Sequence, residues 1–132
     1  MKEVILLVLI TILLASCASN NYNNVDIIKG KFKITNRTID KNCKEGYAII
    51  TGIVYEKFTE EIMPFAFVKI GELNNGYAYM TDKHGEFYAE IPVGKYEIKV
   101  FGTGYTSIRK TIVFKEKENV DIRVYLGGTY IW

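Results

Sequence analysis

The sequence predicts an all-β sandwich of seven short strands in a single domain, and three observations predict it. Residues 86–91 and 96–100 alternate strictly, with Phe87, Ala89 and Ile91 set against Glu86, Tyr88 and Glu90, then Tyr96, Ile98 and Val100 against Glu97 and Lys99. That is the period of a strand with one buried face. The segments between loops are rich in β-branched residues and tyrosine, types that fit a pleated, half-buried surface. No segment carries a convincing helical period, and no repeat recurs at a fixed spacing. Pro92, Val93, Gly94 and Lys95 have the composition of a tight turn, so the two alternating runs are expected to form an antiparallel hairpin.

Taken from the start, residues 1–16 read as an export signal. A short charged head, Met1 to Glu3, precedes an apolar run from Val4 to Leu14 broken only by Thr11. The run is too short to span a bilayer and has the dimensions of a signal-peptide core. The ending Leu14-Ala15-Ser16-Cys17 resembles the lipobox of bacterial lipoproteins, which implies that Cys17 is acylated and becomes the first residue of the mature chain. The alternatives are an ordinary cleaved secretory signal and an N-terminal anchor. A lipid on Cys17 leaves Cys43 without an intramolecular partner, so no internal disulfide is expected. Cys43 reads as a partly buried structural residue, or else as a thiol activated by Lys41 and Lys44.

Residues 17–24 are polar and asparagine-rich, a lipidated tether between the bilayer and a folded body. By resemblance to lipoprotein sorting rules, Ala18 directs the chain to the outer membrane, facing the periplasm. Removing signal and tether leaves roughly a hundred residues, enough for one modest core. The formal net charge of +2, with both signs interspersed, argues against nucleic acid as a partner.

Residues 25–46 form a lead-in, with a loosely alternating stretch at 25–35 and a polar loop at 36–45. The sandwich domain is placed at 47–132. Its first strand, 47–55, is apolar on both faces, as a strand between two layers is. The second is 65–70, followed by a turn at 71–76 whose Asn74, Asn75 and Gly76 favour positive φ. Residues 77–81 form the third strand, the two alternating runs the fourth and fifth, 106–115 the sixth and 120–126 the seventh. The tail to Trp132 ends in Tyr130, Ile131 and Trp132, too apolar to be merely disordered and suited to covering a sheet edge or meeting a partner.

With these residues set out, the stretch from Thr51 to Leu126 resembles a carboxypeptidase regulatory-like domain, a seven-stranded antiparallel sandwich of the transthyretin-like, Ig-like kind. The resemblance rests on Gly52-Ile53-Val54, on Pro64 to Ile70, and on Thr81-Asp82 with Gly85 and Phe87. Pro92 with Gly94 and Tyr96, and Gly102 with Gly104-Tyr105, complete it. Each piece has a mechanical reason: Asp82 caps a turn, Gly85 takes an unusual φ, Phe87 and Tyr96 face the core, and Gly104-Tyr105 bends the chain. The resemblance implies a non-enzymatic accessory module with no cofactor.

The sequence offers little chemistry against that. The single histidine, His84, lies in a turn without the further ligands a metal site needs. Ser107 has no Gly-x-Ser-x-Gly context, and one histidine makes no triad. Carboxylates such as Glu60 and Glu61, or Glu86 and Glu90, read as solvated. A transthyretin-like hydrolase is the catalytic alternative, but that family depends on several histidines and a C-terminal Tyr-Arg-Gly-Ser, where this chain has Tyr125-Leu126-Gly127-Gly128. Catalytic and metal-binding residues are therefore expected to be absent. Tyr77 and Tyr79 are expected in the core, and Tyr88, Tyr130 and Trp132 are the candidate binding residues. The expected function is a lipid-anchored envelope module that contacts a periplasmic or outer-membrane protein or a glycan, with a structural subunit of a surface or pilus-like assembly as the alternative.

Overall fold

The structure, a computed structural model, describes residues 25–131. Cys17, Trp132 and the side chain of Tyr130 lie outside what it describes. Two four-stranded sheets pack face to face, and a two-stranded ribbon extends from the ends of two strands of one of them. The strands are β1 (Val25–Ile28), β2 (Lys31–Ile39), β3 (Tyr47–Glu56), β4 (Phe67–Ile70), β5 (Tyr79–Met80), β6 (Glu86–Pro92), β7 (Gly94–Phe101), β8 (Ile108–Phe114), β9 (Glu118–Leu126) and β10 (Gly128–Ile131). One sheet runs β2-β9-β3-β6, the other β5-β4-β7-β8, and β1 pairs with β10. No helix among the described residues is long and apolar enough to cross a membrane.

The seven expected strands are β3 to β9, and the core is what their alternation predicts. Ile50, Val54, Ile91, Val120, Ile122 and Val124 point inward from one sheet and meet Val68, Ile70, Ile98, Val100 and Phe114 from the other, all at most 1 % exposed. Each such aliphatic side chain taken out of water contributes about 1.5–3 kcal/mol, which is what holds the two layers together.

The 86–100 segment departs from the expected hairpin. β6 pairs with β3 and β7 with β4 and β8, so the two runs lie in different sheets. Alternation reports which face of a strand is buried and not which neighbour it bonds to, and both runs bury their apolar faces in the same core from opposite sides. Pro92 ends β6 at a rung where its missing N–H faces away from β3, so it costs that ladder nothing. The expectation of purely antiparallel sheets fails at one place: β3 and β9 run parallel at the centre of their sheet, with Ile50 opposite Val120. They are the first and last of the seven strands, and no tight turn joins them to impose the opposite direction.

Other boundaries shift for local reasons. Residues 25–35 form two strands, and β2 continues to Ile39 into what reads as a polar loop, because it gains β9 as a partner. The strand expected from Phe65 starts at Phe67, since Phe65 takes a φ of 59° and the Ala66 N–H is claimed by the Thr81 hydroxyl at 2.8 Å. That hydroxyl also donates to the Met63 carbonyl at 3.2 Å, so the buried Thr81 is satisfied and the third strand shortens to Tyr79–Met80. In the 71–76 turn Asn74 and Asn75 both take positive φ, as its composition predicts. The apolar tail becomes β10 on β1, with Tyr130 opposite Asp26.

Cys43 is buried in the loop after β2, and its thiol donates to the Tyr47 carbonyl at 3.5 Å. Burial pushes its pKa up, and the nearby charges of Glu90 and Asp40 add to that. The structural reading of Cys43 therefore holds and the activated-thiol reading does not.

Arg37 of β2 clamps Glu118 of β9 with Nε at 3.1 Å and Nη2 at 2.6 Å, and Nη2 also reaches the Val113 carbonyl of β8 at 2.5 Å. The side-chain hydrogen bond from Arg37 holds the Glu118 carboxyl below its ordinary 4.5, against the opposing effect of burial. Because the folded carboxyl binds its proton more weakly than the unfolded one, this stabilisation is complete above the unfolded value and is lost as pH falls through the folded one. Urea midpoints are expected to be flat from pH 7 to about 5 and to drop below about pH 4. Glu118→Gln is expected to flatten part of that acid limb, and an unchanged limb in the variant would show the pair to be energetically silent.

Candidate functional site

The outer face of the β2-β9-β3-β6 sheet carries the candidate site, and the same alternation that fills the core builds it. In β9, Asp121, Arg123 and Tyr125 point out between the inward Val120, Ile122, Val124 and Leu126. Strand pairing sets Thr51 opposite Asp121, Ile53 opposite Arg123 and Tyr55 opposite Tyr125 on the parallel ladder. Across the other ladder Tyr88 faces Thr51 and Glu86 faces Ile53. Of these, Thr51, Ile53, Glu86, Tyr88, Asp121 and Arg123 line an open groove of about 490 Å³, whose rim takes in Met80 and Asp82.

Asp121 organises the floor. Its carboxylate accepts from the Thr51 hydroxyl at 2.8 Å, the Thr35 hydroxyl at 2.8 Å and Arg123 Nη1 at 2.7 Å. Thr35 reaches it because the β2–β9 register shifts between Ile34 and Asn36, and the extra residue brings its hydroxyl onto the sheet face. Partial burial disfavours the Asp121 anion, but the two hydroxyls and Arg123 outweigh it and hold the carboxyl below its ordinary value. Removing the carboxylate strands three donors, so Asp121→Ala is expected to cost about 1–3 kcal/mol by thermal or urea unfolding. A cost indistinguishable from zero would mean that solvent replaces the network freely.

Next to the groove, the Tyr55 and Tyr125 rings stack at 4.8 Å between centroids and 15° between planes, with Lys57 Nζ 5.8 Å from the Tyr125 ring. Tyr88 stands free of this stack and is 60 % exposed. Tyr77, expected in the core, is 73 % exposed beyond the 71–76 turn, while Tyr79 packs against the core. The difference follows from strand length: only Tyr79 lies in β5, so the alternation expected to pair the two tyrosines never starts.

The Asp82 turn at the rim is capped as its composition predicts. Asp82 Oδ1 accepts the N–H groups of His84 at 2.8 Å and Glu86 at 3.0 Å, and the Glu86 N–H, then that of His84, hold its carboxyl below the ordinary value. Gly85 adopts φ 72°, and a side chain there would press on the Val54 carbonyl at 2.9 Å. His84, Glu60, Glu61, Glu90 and Ser107 are exposed. Among the described residues no three His, Cys, Asp or Glu side chains converge as a metal site. The groove is equipped to hold a ligand through hydroxyl, carboxylate, guanidinium and aromatic contacts.

Thr35, Thr51, Asp121, Arg123 and the stacked tyrosines are not among the residues singled out from the sequence. Alternation in 120–126 places Asp121, Arg123 and Tyr125 on the outward face, but only the parallel pairing with β3 reveals what they meet.

Several solved structures resemble the chain. Catechol 1,2-dioxygenase from Acinetobacter radioresistens is 15 % identical, with 63 % of this chain and 52 % of that one covered at a TM-score of 0.48. The mercury-inhibited catechol 1,2-dioxygenase from Acinetobacter sp. ADP1 is 9 % identical over 65 % and 54 % of the two chains at 0.47. For 3-chlorocatechol 1,2-dioxygenase from Rhodococcus opacus 1CP the figures are 10 %, 86 %, 77 % and 0.49. The chain thus spans about half the length of the Acinetobacter enzymes it matches. No curated protein matches it by sequence. The CarboxypepD_reg-like domain model matches residues 50–129, from within β3 into β10 and including Thr51, Tyr88, Asp121 and Arg123, and by that match the chain belongs to the CarboxypepD_reg-like family.

Proposed function

We propose that this protein is a non-catalytic, lipid-anchored accessory module of the cell envelope that binds a protein or glycan partner through the outer face of the β2-β9-β3-β6 sheet. The observation that carries the reading is the groove itself: a hydrogen-bonded floor of Asp121, Thr51 and Arg123 beneath an exposed Tyr88, polar and aromatic groups of the kind that hold a ligand. Membership of a family whose domains are regulatory and non-catalytic supports it. The Leu14-Ala15-Ser16-Cys17 stretch supplies the anchor, and Ala18 directs it to the periplasmic face of the outer membrane.

Two measurements test this. Radiolabelled palmitate is expected to label the full-length chain and not Cys17→Ala, and Cys17→Ala is expected to leave the membrane fraction. Crosslinking in intact envelopes is then expected to join the wild-type chain to one partner reproducibly, with recovery reduced by Asp121→Ala. Crosslinked ladders of the chain alone favour a structural subunit instead, and turnover of a small molecule by the purified protein ends the non-catalytic reading.

A further inference from the structure

We infer that the free edge of β6 is a strand-addition site that takes an extended, basic segment of the partner protein. The inference rests on the accessory-module reading and names the kind of contact that module makes.

β6 pairs with β3 alone, and the ladder fixes which backbone groups remain open. Val54 N–H donates to Gly85 and Val93 N–H to Gly46, so the bonded rungs fall at every second residue, through Gly52–Phe87, Ile50–Ala89 and Ala48–Ile91. The N–H and C=O groups of Glu86, Tyr88 and Glu90 therefore point away from the sheet. At one end Glu86 is closed off, its N–H bonded to Asp82 Oδ1 at 3.0 Å and its carbonyl to the Asp82 N–H at 2.9 Å. At the other end Pro92 has no N–H, and its carbonyl accepts from the Tyr96 hydroxyl at 2.8 Å. Tyr88 and Glu90 are left between these closed ends, and among the described residues nothing pairs their outward backbone groups.

The side chains on this edge define the occupant. Glu86 and Glu90 are exposed on either side of Tyr88, and among the described residues neither carboxylate forms an ion pair. The same edge of a second copy is a poor occupant, because antiparallel pairing of two β6 edges about Tyr88 sets Glu86 of one opposite Glu90 of the other, and like charges directly across a ladder repel. The residues of an added strand that face Glu86, Tyr88 and Glu90 share one face, so Lys or Arg four residues apart meets both carboxylates, and an apolar residue midway between them lies against Tyr88 and Met80, which are 60 % and 57 % exposed.

The test uses the full-length lipidated protein in detergent micelles with two synthetic probes, acetyl-Lys-Thr-Val-Thr-Lys-amide and acetyl-Glu-Thr-Val-Thr-Glu-amide, each of which sets its valine and both charges on one face. The basic peptide is expected to bind at least about tenfold more tightly than the acidic one at low salt, and to slow amide exchange at Tyr88 and Glu90. Glu90→Pro removes an outward N–H, a change an edge strand tolerates, together with one of the two carboxylates, and is expected to abolish both effects. If that variant fails to fold, Glu90→Lys serves instead and is expected to shift preference toward the acidic peptide. Binding of the basic peptide without slowed exchange at Tyr88 and Glu90 would overturn the inference, as would undiminished binding to Glu90→Pro. Concentration-dependent slowing without peptide would overturn it too, pointing to pairing with the Lys31 and Lys33 edge of another copy. An envelope partner still crosslinked by Glu90→Pro removes the edge site while leaving the module reading intact, whereas no partner for either form removes the module reading.

Discussion

Gly52→Val is expected to be among the most damaging single changes in the sandwich, costing about 3 kcal/mol or more, a large share of the roughly 5–15 kcal/mol that holds a domain folded. Gly52 lies in β3 between β6 and β9, and a Cβ there would stand 2.6 Å from Phe87 Cε1, 2.7 Å from Ile122 Cγ1 and 2.9 Å from the Ile122 carbonyl oxygen. Two of those neighbours are core side chains at most 7 % exposed and the third is backbone, so nothing nearby yields without opening the central ladder. Gly52→Ala is expected to fall between wild type and valine in urea midpoint, and shortening Phe87 to leucine alongside it to restore part of the loss. An alanine variant as stable as wild type would refute the close approach. The damage reaches the binding face as well, because Thr51 and Ile53 flank Gly52 and line the groove.

Phe114→Ala is expected to cost about 3–5 kcal/mol, through lost burial and the cavity left behind. Phe114 is the largest fully buried side chain described, and it projects from β8 at the edge of the second sheet against the tilted ring of Tyr96, 6.1 Å away. Tyr96 is in turn held by its hydroxyl on Pro92, so the cavity cannot close without moving the crossover between sheets. Phe114→Leu is expected to lose less than half as much. Both substitutions leave the groove untouched, so below the melting temperature they are expected to bind a partner like wild type, whereas Asp121→Ala is not. Partner binding that falls with Phe114→Leu in proportion to stability would mean that the groove responds to global loosening and not to its own side chains.

How far the molecule was legible depended on whether the physics was local. Burial of Phe87, Ala89 and Ile91, exposure of Tyr88, the Asp82 cap and the positive φ of Gly85 are written in two-residue alternation and turn chemistry, and the structure has them. The sheet to which each strand belongs is not local. Pro92 and Gly94 read equally well as a hairpin turn and as a crossover, and only the partners of β6 and β7 decide between them. The same holds for the site: Thr35, Thr51 and Asp121 are up to 86 residues apart in the chain, and a register shift in β2 is needed to bring them together. Thr81 belongs to the same class, since its buried hydroxyl matters only once Met63 and Ala66 arrive beside it.

The parallel pairing of β3 with β9 sets the order in which this domain can be made. Its central ladder joins residues 70 positions apart, so during synthesis β3 waits without this neighbour until β9 has emerged. Contacts of such long sequence separation form slowly, because the loop must close before any of them is gained. Until β9 arrives, β3 has only β6 beside it, and the sandwich cannot close. For a protein proposed to cross a membrane behind an export signal, late closure of the sandwich keeps folding from outrunning transport.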